Sequence, residues 1–204
     1  MLVEDITEIA VWDTETTGVD VENDLIVTSF FGILNAAGEM IERHEWVIDH
    51  GVEIPEGAAN IHGWTTERVR EYGRKDASTA IEEIAAAVES CVATSTPLVI
   101  MNASYDLTIL DRNLRRYRSD SALAVPVPVI DPYVIDKALD PYRKGSRKLA
   151  DMAAHYRIPV GNAHDAEADC IMAGKIALFL LTHSAFKGLT LEEIHERSIG
   201  HARN

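Results

Sequence analysis

The sequence predicts an α/β fold in which one mixed sheet is covered by helices. Three strand-like runs come first, and helical and strand-like runs alternate after them. Neighbouring strands joined by a short turn favour antiparallel pairing, whereas strands that alternate with helices favour parallel pairing. The chain has 204 residues, 47% hydrophobic and 25% charged. It is therefore long enough for one sizeable core and has the composition of a globular protein.

The first three strands are predicted from apolar and β-branched runs. Residues 9–15 (IAVWDTE) end in polar side chains and are followed by the turn-prone TTG. Residues 25–34 and 40–48 are rich in β-branched and aromatic side chains, and NAAGE separates them. This pattern predicts an antiparallel hairpin.

The remaining elements are predicted from apolar spacing and cap residues. They are a helix over 76–93, a strand over 97–101 (PLVIM), a helix over 103–117, a strand over 127–130, and helices over 133–139, 148–156 and 165–181. Thr190 and Glu193 have the spacing of a capping box, which predicts one last helix. We therefore expect a domain over residues 1–186, followed by a helical tail over 187–204 of unknown role.

The lack of recognisable targeting signals and the spacing of the cysteines favour a cytoplasmic protein with no membrane partner. The N-terminal MLVEDITE is acidic and lacks the basic and apolar regions of a signal peptide. No apolar run approaches the ~18 residues that a membrane span needs. Cys91 and Cys170 are far apart in helix-like stretches, so we expect two buried free thiols rather than a disulfide.

The charge is unevenly distributed along the chain. The net charge of -14 argues against nucleic acid as a partner, but nine Lys and Arg stand against four Asp between Arg112 and Lys148. This basic strip has two interpretations. It is either a set of ordinary solvated helix faces or a surface that holds a nucleic-acid backbone.

Two acids lie at the end of the first predicted strand. Because side chains alternate across a strand, Asp13 and Glu15 project to one face, and Thr14 projects to the other. Two like charges on one face repel each other unless a cation lies between them. The alternative is that one acid is solvated and the other caps the TTG turn.

Two further acidic clusters lie at the starts of helices. In NASYD, Asp106 falls in the opening turn of a helix that follows a strand, where it is either a helix-dipole acid or a site residue. In HDAEAD, Asp165 is the expected cap, Asp169 lies one turn into the helix, and His164 precedes it. Hard cations such as Mg²⁺ and Mn²⁺ prefer carboxylate ligands, and no Cys and His spacing indicates zinc.

In order and local sequence, these motifs resemble the DEDDh 3′-to-5′ exonucleases. The matching stretches are VWDTETTG, HGWT, NASYD and HDAEAD, and the resemblance covers roughly residues 9–181. It implies that four acids, Asp13, Glu15, Asp106 and Asp169, bind two divalent ions, Mg²⁺ or Mn²⁺. It also implies that His164 is the general base.

The resemblance carries expectations for fold and function. It implies a ribonuclease H-like mixed five-stranded sheet, with three antiparallel strands and then parallel strands, flanked by helices. The implied reaction is 3′-to-5′ hydrolysis of phosphodiester bonds at a single-stranded or frayed 3′ end, with release of nucleoside 5′-monophosphates. DNA is favoured over RNA. The alternatives are an RNA-trimming exoribonuclease and a proofreading accessory subunit bound to a DNA polymerase.

Candidate substrate-binding residues surround the motifs. They are Thr14, Thr16, His62, Trp64, Asn102 and Tyr105. The rings of His62, Trp64 and Tyr105 are candidates for stacking on terminal bases, although an aromatic side chain in this composition is more often part of a core. Tyr105 stands where the family most often has Phe. A different enzyme class, the phosphatases with a DxDxT pattern, resembles DTETT but has Asp where this chain has Glu15 and gives NASYD and HDAEAD no role.

Overall fold

The computed structural model describes residues 1–118, 122–124, 128–162 and 165–202. Within these ranges the strands are β1 (Glu8–Thr16), β2 (Ile26–Asn35), β3 (Met40–Val47), β4 (Leu98–Val99) and β5 (Val129–Ile130). They form one five-stranded sheet in the order β3-β2-β1-β4-β5. β1 pairs antiparallel with β2, and β2 with β3, whereas β4 and β5 run parallel to β1. The predicted mixed sheet is confirmed.

The described part of the chain has eight helices. They are α1 (Glu56–His62), α2 (Thr66–Tyr72), α3 (Ala77–Ala93), α4 (Ala103–Arg115), α5 (Pro132–Leu139), α6 (Leu149–His155), α7 (Ala166–Leu181) and α8 (Leu191–Ala202). Of these, α3, α4, α7 and α8 contact the strands directly. Asp76 caps α3 and Asp165 caps α7, each through its side chain. The sequence did not predict α1 and α2.

Strand alternation on β1 divides the core into two layers. Ala10 and Trp12 face α3 and α4, and their cluster includes Ile81. Ile9 and Val11 face the opposite layer, which is dominated by α7. Because both faces of β1 are covered, the strand is apolar on both sides from Ile9 to Trp12 and becomes polar at Asp13. The polar end of β1 therefore lies at the edge of a packed core.

The C-terminal segment belongs to the α7 layer of the core. Leu191 and Ile194 of α8 are buried and pack with residues of α5 and β5. The predicted capping box is present, since the Thr190 amide donates to Glu193 and the Glu193 amide donates to the Thr190 hydroxyl. The Leu191 amide also donates to the Met1 carbonyl oxygen at 3.0 Å. The boundary between residues 186 and 187 stays a prediction.

Both cysteines are buried and free, as expected. In the described ranges, no helix combines the length and the apolar character that crossing a membrane requires.

Candidate functional site

The end of β1 and the first turn of α7 bring three carboxylates together. One oxygen each of Asp13, Glu15 and Asp169 lies within 4.8 Å of the others. Alternation along β1 puts the first two on the face that α7 covers. Asp165 accepts hydrogen bonds from the amides of Glu167 and Ala168, which fixes the start of α7 and so places Asp169 one turn in.

The carboxylates of this cluster are unfavourable to ionise, first because they are sheltered from water and second because they lie close to one another. Burial raises the pKa of Glu15 to about 7, and the Asp169 carboxylate adds to the shift. Burial, followed by the charges of Asp106, Glu15 and Asp169, raises the pKa of Asp13 well above its ordinary value. Groups that resist ionisation in this way are stabilised as carboxylates by a nearby cation.

Asp106 lies near the carboxylate cluster but is not one of the three acids whose oxygens lie within 4.8 Å of one another. Its carboxylate is buried at the start of α4 and accepts a 2.8 Å hydrogen bond from the Thr14 hydroxyl. Burial raises the pKa of Asp106 to about 7, and the charge of Glu15 contributes. The four predicted acids therefore interact electrostatically, although three of them form the tight group.

A cleft opens over the carboxylate cluster. Its volume is ≈ 200 Å³. It is lined by Trp12, Asp13, Thr14, Glu15, Met101, Leu149, Asp169, Cys170 and Ala173. Burial raises the pKa of the Cys170 thiol, and the charge of Asp13 adds to this effect. The cleft thus combines an acidic floor with apolar walls, which is the usual composition of a small-ligand site.

Three of the predicted substrate-binding residues are joined by hydrogen bonds after β1. The hydroxyls of Thr16 and Tyr105 lie 2.7 Å apart, and each reaches the carbonyl oxygen of Gly18. His62 is buried, and its Nδ1 accepts from the Trp64 amide. Its Nε2 therefore carries the proton that faces the Thr16 carbonyl oxygen at 3.1 Å. These contacts fix the chain just beyond Glu15.

Trp64 is partly exposed, and one face of its ring is covered. The Arg68 guanidinium lies 3.8 Å from the ring centroid, which is the distance of a cation–π contact. The stacking roles that the sequence suggests for Trp64, His62 and Tyr105 stay predictions.

Asn102 adopts a left-handed conformation, with φ of 56°, directly before α4. Asp131 supports this turn, because its carboxylate accepts from the amides of Asn102 and Ala103. It also caps α5 by accepting from the Tyr133 amide. Sequence reasoning missed Asp131, although an acid directly before Pro132 at the start of a helical run is a recognisable cap signal.

His164 lies outside the described residues, so its predicted role stays a prediction.

The basic strip divides into two parts with different environments. In the first part, three arginines pair with acids, whereas Arg116 donates to backbone carbonyl oxygens. The pairs are Arg112 with Glu22 and Asp111, Arg115 with Asp111, and Arg118 with Glu82. In the second part, Arg143 and Arg147 turn inward and both bind the buried carboxylate of Asp136. The strip as a whole is therefore not one open cationic face.

Comparison with protein families gives one match over most of the chain. The model described as Exonuclease, RNase_T, matches residues 10–177. No curated protein matches the sequence significantly.

Solved structures with a similar fold include exonucleases. Exonuclease I has a TM-score of 0.71 and 17% sequence identity over 96% of this chain and 44% of that chain. E. coli exonuclease I in complex with a dA16 oligonucleotide has a TM-score of 0.67 and 19% identity over 88% of this chain and 42% of that chain. Exonuclease X in complex with 5′ overhanging duplex DNA has a TM-score of 0.60 and 19% identity over 92% of this chain and 99% of that chain. This chain thus spans less than half of the exonuclease I chains that it matches.

Proposed function

The chain belongs to the exonuclease family RNase_T, and we propose that it is a metal-dependent 3′-to-5′ exonuclease that releases nucleoside 5′-monophosphates from DNA. One observation carries the proposal. Carboxylates from two distant segments, Asp13 and Glu15 on β1 and Asp169 on α7, meet within 4.8 Å at the floor of a cleft.

The carboxylate cluster fits a site for hard divalent cations. Its ligand atoms are carboxylate oxygens, which Mg²⁺ and Mn²⁺ prefer. Burial, and after it the neighbouring carboxylates, raise the pKa values of Asp13 and Glu15, so the ionised cluster is unfavourable without a counterion. We infer that Asp13, Glu15, Asp106 and Asp169 hold two such ions. When bound, these ions would neutralise phosphate charge and acidify the attacking water.

Other side chains of the site are assigned to proton transfer and to positioning the carboxylates. His164 comes directly before the cap of α7, and we assign to it the removal of a proton from the attacking water. Thr14 orients the Asp106 carboxylate through its hydroxyl. Asp131 holds the turn at Asn102 from which α4, and with it Asp106, begins.

The contacts beyond β1 favour a role in shaping the pocket for the terminal nucleotide. Thr16 and Tyr105 are tied to Gly18, and His62 holds the end of α1 against the Thr16 carbonyl oxygen. Trp64 packs against the cluster of Val27, Ile54 and Val69 and carries Arg68 over its ring, and the part of the ring that stays exposed is the candidate for stacking on a base.

DNA is proposed as the substrate because two of the similar structures hold DNA, one of them an oligonucleotide and the other an overhanging duplex. We expect the chain to act on a single-stranded or frayed 3′ end. A DNA polymerase partner and a cytoplasmic location stay predictions, which co-purification and cell fractionation test.

Hydrolysis of a 5′-labelled single strand tests the proposed function. With Mg²⁺ or Mn²⁺ the protein should give a descending ladder of products, and a chelator should abolish it. Asp13→Asn and Asp169→Asn should each lower the rate by at least ~100-fold, and His164→Ala by ~100-fold or more, as for a lost general base.

Controls separate the parts of the proposal. Glu196→Gln on the exposed face of α8 is a matched acid-to-amide change and should leave the rate unchanged. Fragments cut internally would contradict the exonuclease assignment, and full activity in His164→Ala would remove the base. Matched DNA and RNA strands compared at one salt concentration test the substrate preference, and faster cleavage of RNA would favour the exoribonuclease alternative.

A further inference from the structure

We propose that the loop between α5 and α6, residues 140–148 (DPYRKGSRK), binds the single-stranded nucleic acid that leads into the cleft. The inference rests on the proposed function, because it extends the path of the substrate beyond the carboxylate cluster. It assigns Tyr142 to base stacking, and Lys144 and Lys148 to backbone phosphates.

The loop is continuous with the cleft. It ends at Lys148, and the next residue, Leu149, lines the cleft together with Asp13 and Asp169. Helix α6, which begins at Leu149, packs against α7, the helix that carries Asp169. A single-stranded nucleic acid whose 3′ end reaches the carboxylates beside Leu149 therefore has the loop next to it.

Buried ion pairs hold the loop in one conformation. Arg143 and Arg147 are only 12% and 11% exposed, and both guanidinium groups bind the fully buried Asp136. Tyr156 donates from its hydroxyl to the same carboxylate. Arg147 also donates to the carbonyl oxygen of Asp140, at the start of the loop. A loop fixed in this way loses little conformational entropy when it binds a ligand.

The side chains that the loop presents outward have no structural role in the fold. Tyr142 is 90% exposed, so its ring stabilises no core. Lys144 and Lys148 are exposed and form no ion pair with any residue that the structure describes. An exposed aromatic ring on the same loop as exposed cations is a combination that binds single strands without sequence preference, through stacking and phosphate contacts.

The charge of the loop stands out against the rest of the chain. The loop has four cations, Arg143, Lys144, Arg147 and Lys148, and one acid, Asp140, in a protein of net charge -14. In the other part of the basic strip, Arg112, Arg115 and Arg118 pair with acids, and Arg116 donates to backbone carbonyl oxygens. Since Arg143 and Arg147 are paired with Asp136, Lys144 and Lys148 are the loop cations that are open to an approaching polyanion.

Fluorescence anisotropy tests the loop with a labelled dT oligonucleotide of about twelve residues, a length within the usual range for single-strand sites. The measurements use the full chain with Mg²⁺ in an Asp169→Asn background, which prevents hydrolysis. Tyr142→Ala should weaken binding roughly five-fold or more. Lys144→Gln combined with Lys148→Gln should reduce the slope of log K against log salt by about 1.4, the value for two lost phosphate contacts.

Matched variants at exposed positions far from the loop in sequence serve as controls. Tyr72→Ala removes an aromatic ring that is 64% exposed on α2, and Lys187→Gln removes an exposed lysine. Neither should change the affinity or the salt slope. Thermal unfolding should be unaltered in all loop variants, because the replaced side chains are exposed.

A short chromogenic substrate, the p-nitrophenyl ester of thymidine 5′-monophosphate, separates the two proposals. It is too small to reach the loop, so the loop variants in the otherwise unchanged protein should hydrolyse it at the original rate. If this ester is hydrolysed while strand affinity and salt slope are the same in loop variants and controls, the loop inference is overturned and the exonuclease proposal stands. If the ester and the strands both resist hydrolysis, the exonuclease proposal fails, and anisotropy still decides whether the loop binds a strand.

Discussion

Thr14 connects the two faces of β1 at the site. Its neighbours Asp13 and Glu15 face α7, whereas its own hydroxyl donates to Asp106 on the α4 side at 2.8 Å. Thr14→Val keeps the shape of the side chain and removes the donor. We expect exonuclease activity to fall by ~10-fold or more and the free energy of unfolding to fall by about 1–3 kcal/mol, because the buried Asp106 carboxyl loses a partner. Strand hydrolysis and denaturant unfolding measure the two effects.

Thr14→Ser is the matched control, because it retains the hydroxyl. It should keep most of the activity. Equal losses in Thr14→Ser and Thr14→Val would show that the methyl group, and not the hydrogen bond to Asp106, is what matters at this position.

At the residue scale, the sequence predicts side chains whose placement follows from local periodicity. Alternation alone puts Asp13 and Glu15 on one face, and cap chemistry alone places Asp165 at the start of α7. The contact between Thr14 and Asp106 joins residues 92 positions apart, so no local pattern reveals it. The burial of Arg143 against Asp136 likewise depends on how three elements pack.

At the element scale, Asp136 joins α5 to α6 and to the loop between them. Burial by itself would raise the pKa of this carboxyl, but hydrogen bonds from Tyr156, Arg147 and Arg143 outweigh it and hold the pKa below its ordinary value of 3.8. The stability that comes from this lowered pKa is present above about pH 3.8 and is lost as the pH falls through the folded-state pKa.

Asp136→Asn should destabilise the protein by roughly 3–5 kcal/mol, because it leaves two largely buried guanidinium groups without their counterion. Denaturant unfolding near neutral pH measures the loss, and the difference from the unmodified protein should shrink below about pH 4 as Asp136 protonates. Asp140→Asn is the matched control, since its carboxylate is half exposed and 3.9 Å from Arg143. It should change stability by no more than ~1 kcal/mol. A loss in Asp140→Asn as large as that in Asp136→Asn would contradict this assignment.

A long apolar element with a clear cap is predicted well from the sequence, and short elements are not. The predicted helix over 165–181 differs from α7 by one residue at its start, because a capped apolar run of this length has few alternatives. Helices α1 and α2 have seven residues each, too few for an apolar period to emerge. PLVIM reads as a strand of five residues, but only Leu98 and Val99 pair in β4, since the extent of parallel pairing depends on the neighbouring strands.

At the scale of the whole molecule, residues 1–3 and residues 189–191 pair with each other through backbone hydrogen bonds. The Val3 amide donates to the Leu189 carbonyl oxygen, and Leu2 bridges to Thr190. Leu191 and Ile194 of α8 are each 1% exposed within the α7 layer. The segment that the sequence marks as a tail therefore contributes directly to the hydrophobic core.

Ile194→Ala should lower the free energy of unfolding by about 2–5 kcal/mol, because it opens a cavity in that core. Glu196→Ala on the exposed face of the same helix should stay within ~0.5 kcal/mol of the unmodified protein. Denaturant unfolding compares the two. If Ile194→Ala were as stable as Glu196→Ala, α8 would not contribute to the stability of the domain.

The carboxylate cluster links the stability of the whole protein to pH and to metal ions. The folded-state pKa of Glu15, about 7, lies above its ordinary value of 4.5. The folded protein therefore binds a proton here more tightly than the unfolded chain, and this stability is present below about pH 4.5 and lost as the pH rises through about 7. The shift corresponds to roughly 3 kcal/mol. A cation bound at the proposed site would replace the proton and restore this stability.

Mg²⁺ should consequently raise the midpoint of thermal unfolding, relative to chelator, much more at about pH 8 than at about pH 5, where protons compete for the carboxylates. Asp13→Asn should remove a buried acid whose ionised form is unfavourable in the cluster, so it should stabilise the metal-free protein at about pH 8 and shrink the response to Mg²⁺. Glu196→Gln, an acid-to-amide change outside the site, should do neither. An Mg²⁺ response of equal size at both pH values, or one unaffected by Asp13→Asn, would mean that the cation binds elsewhere on this acidic molecule and that the cluster is not the metal site.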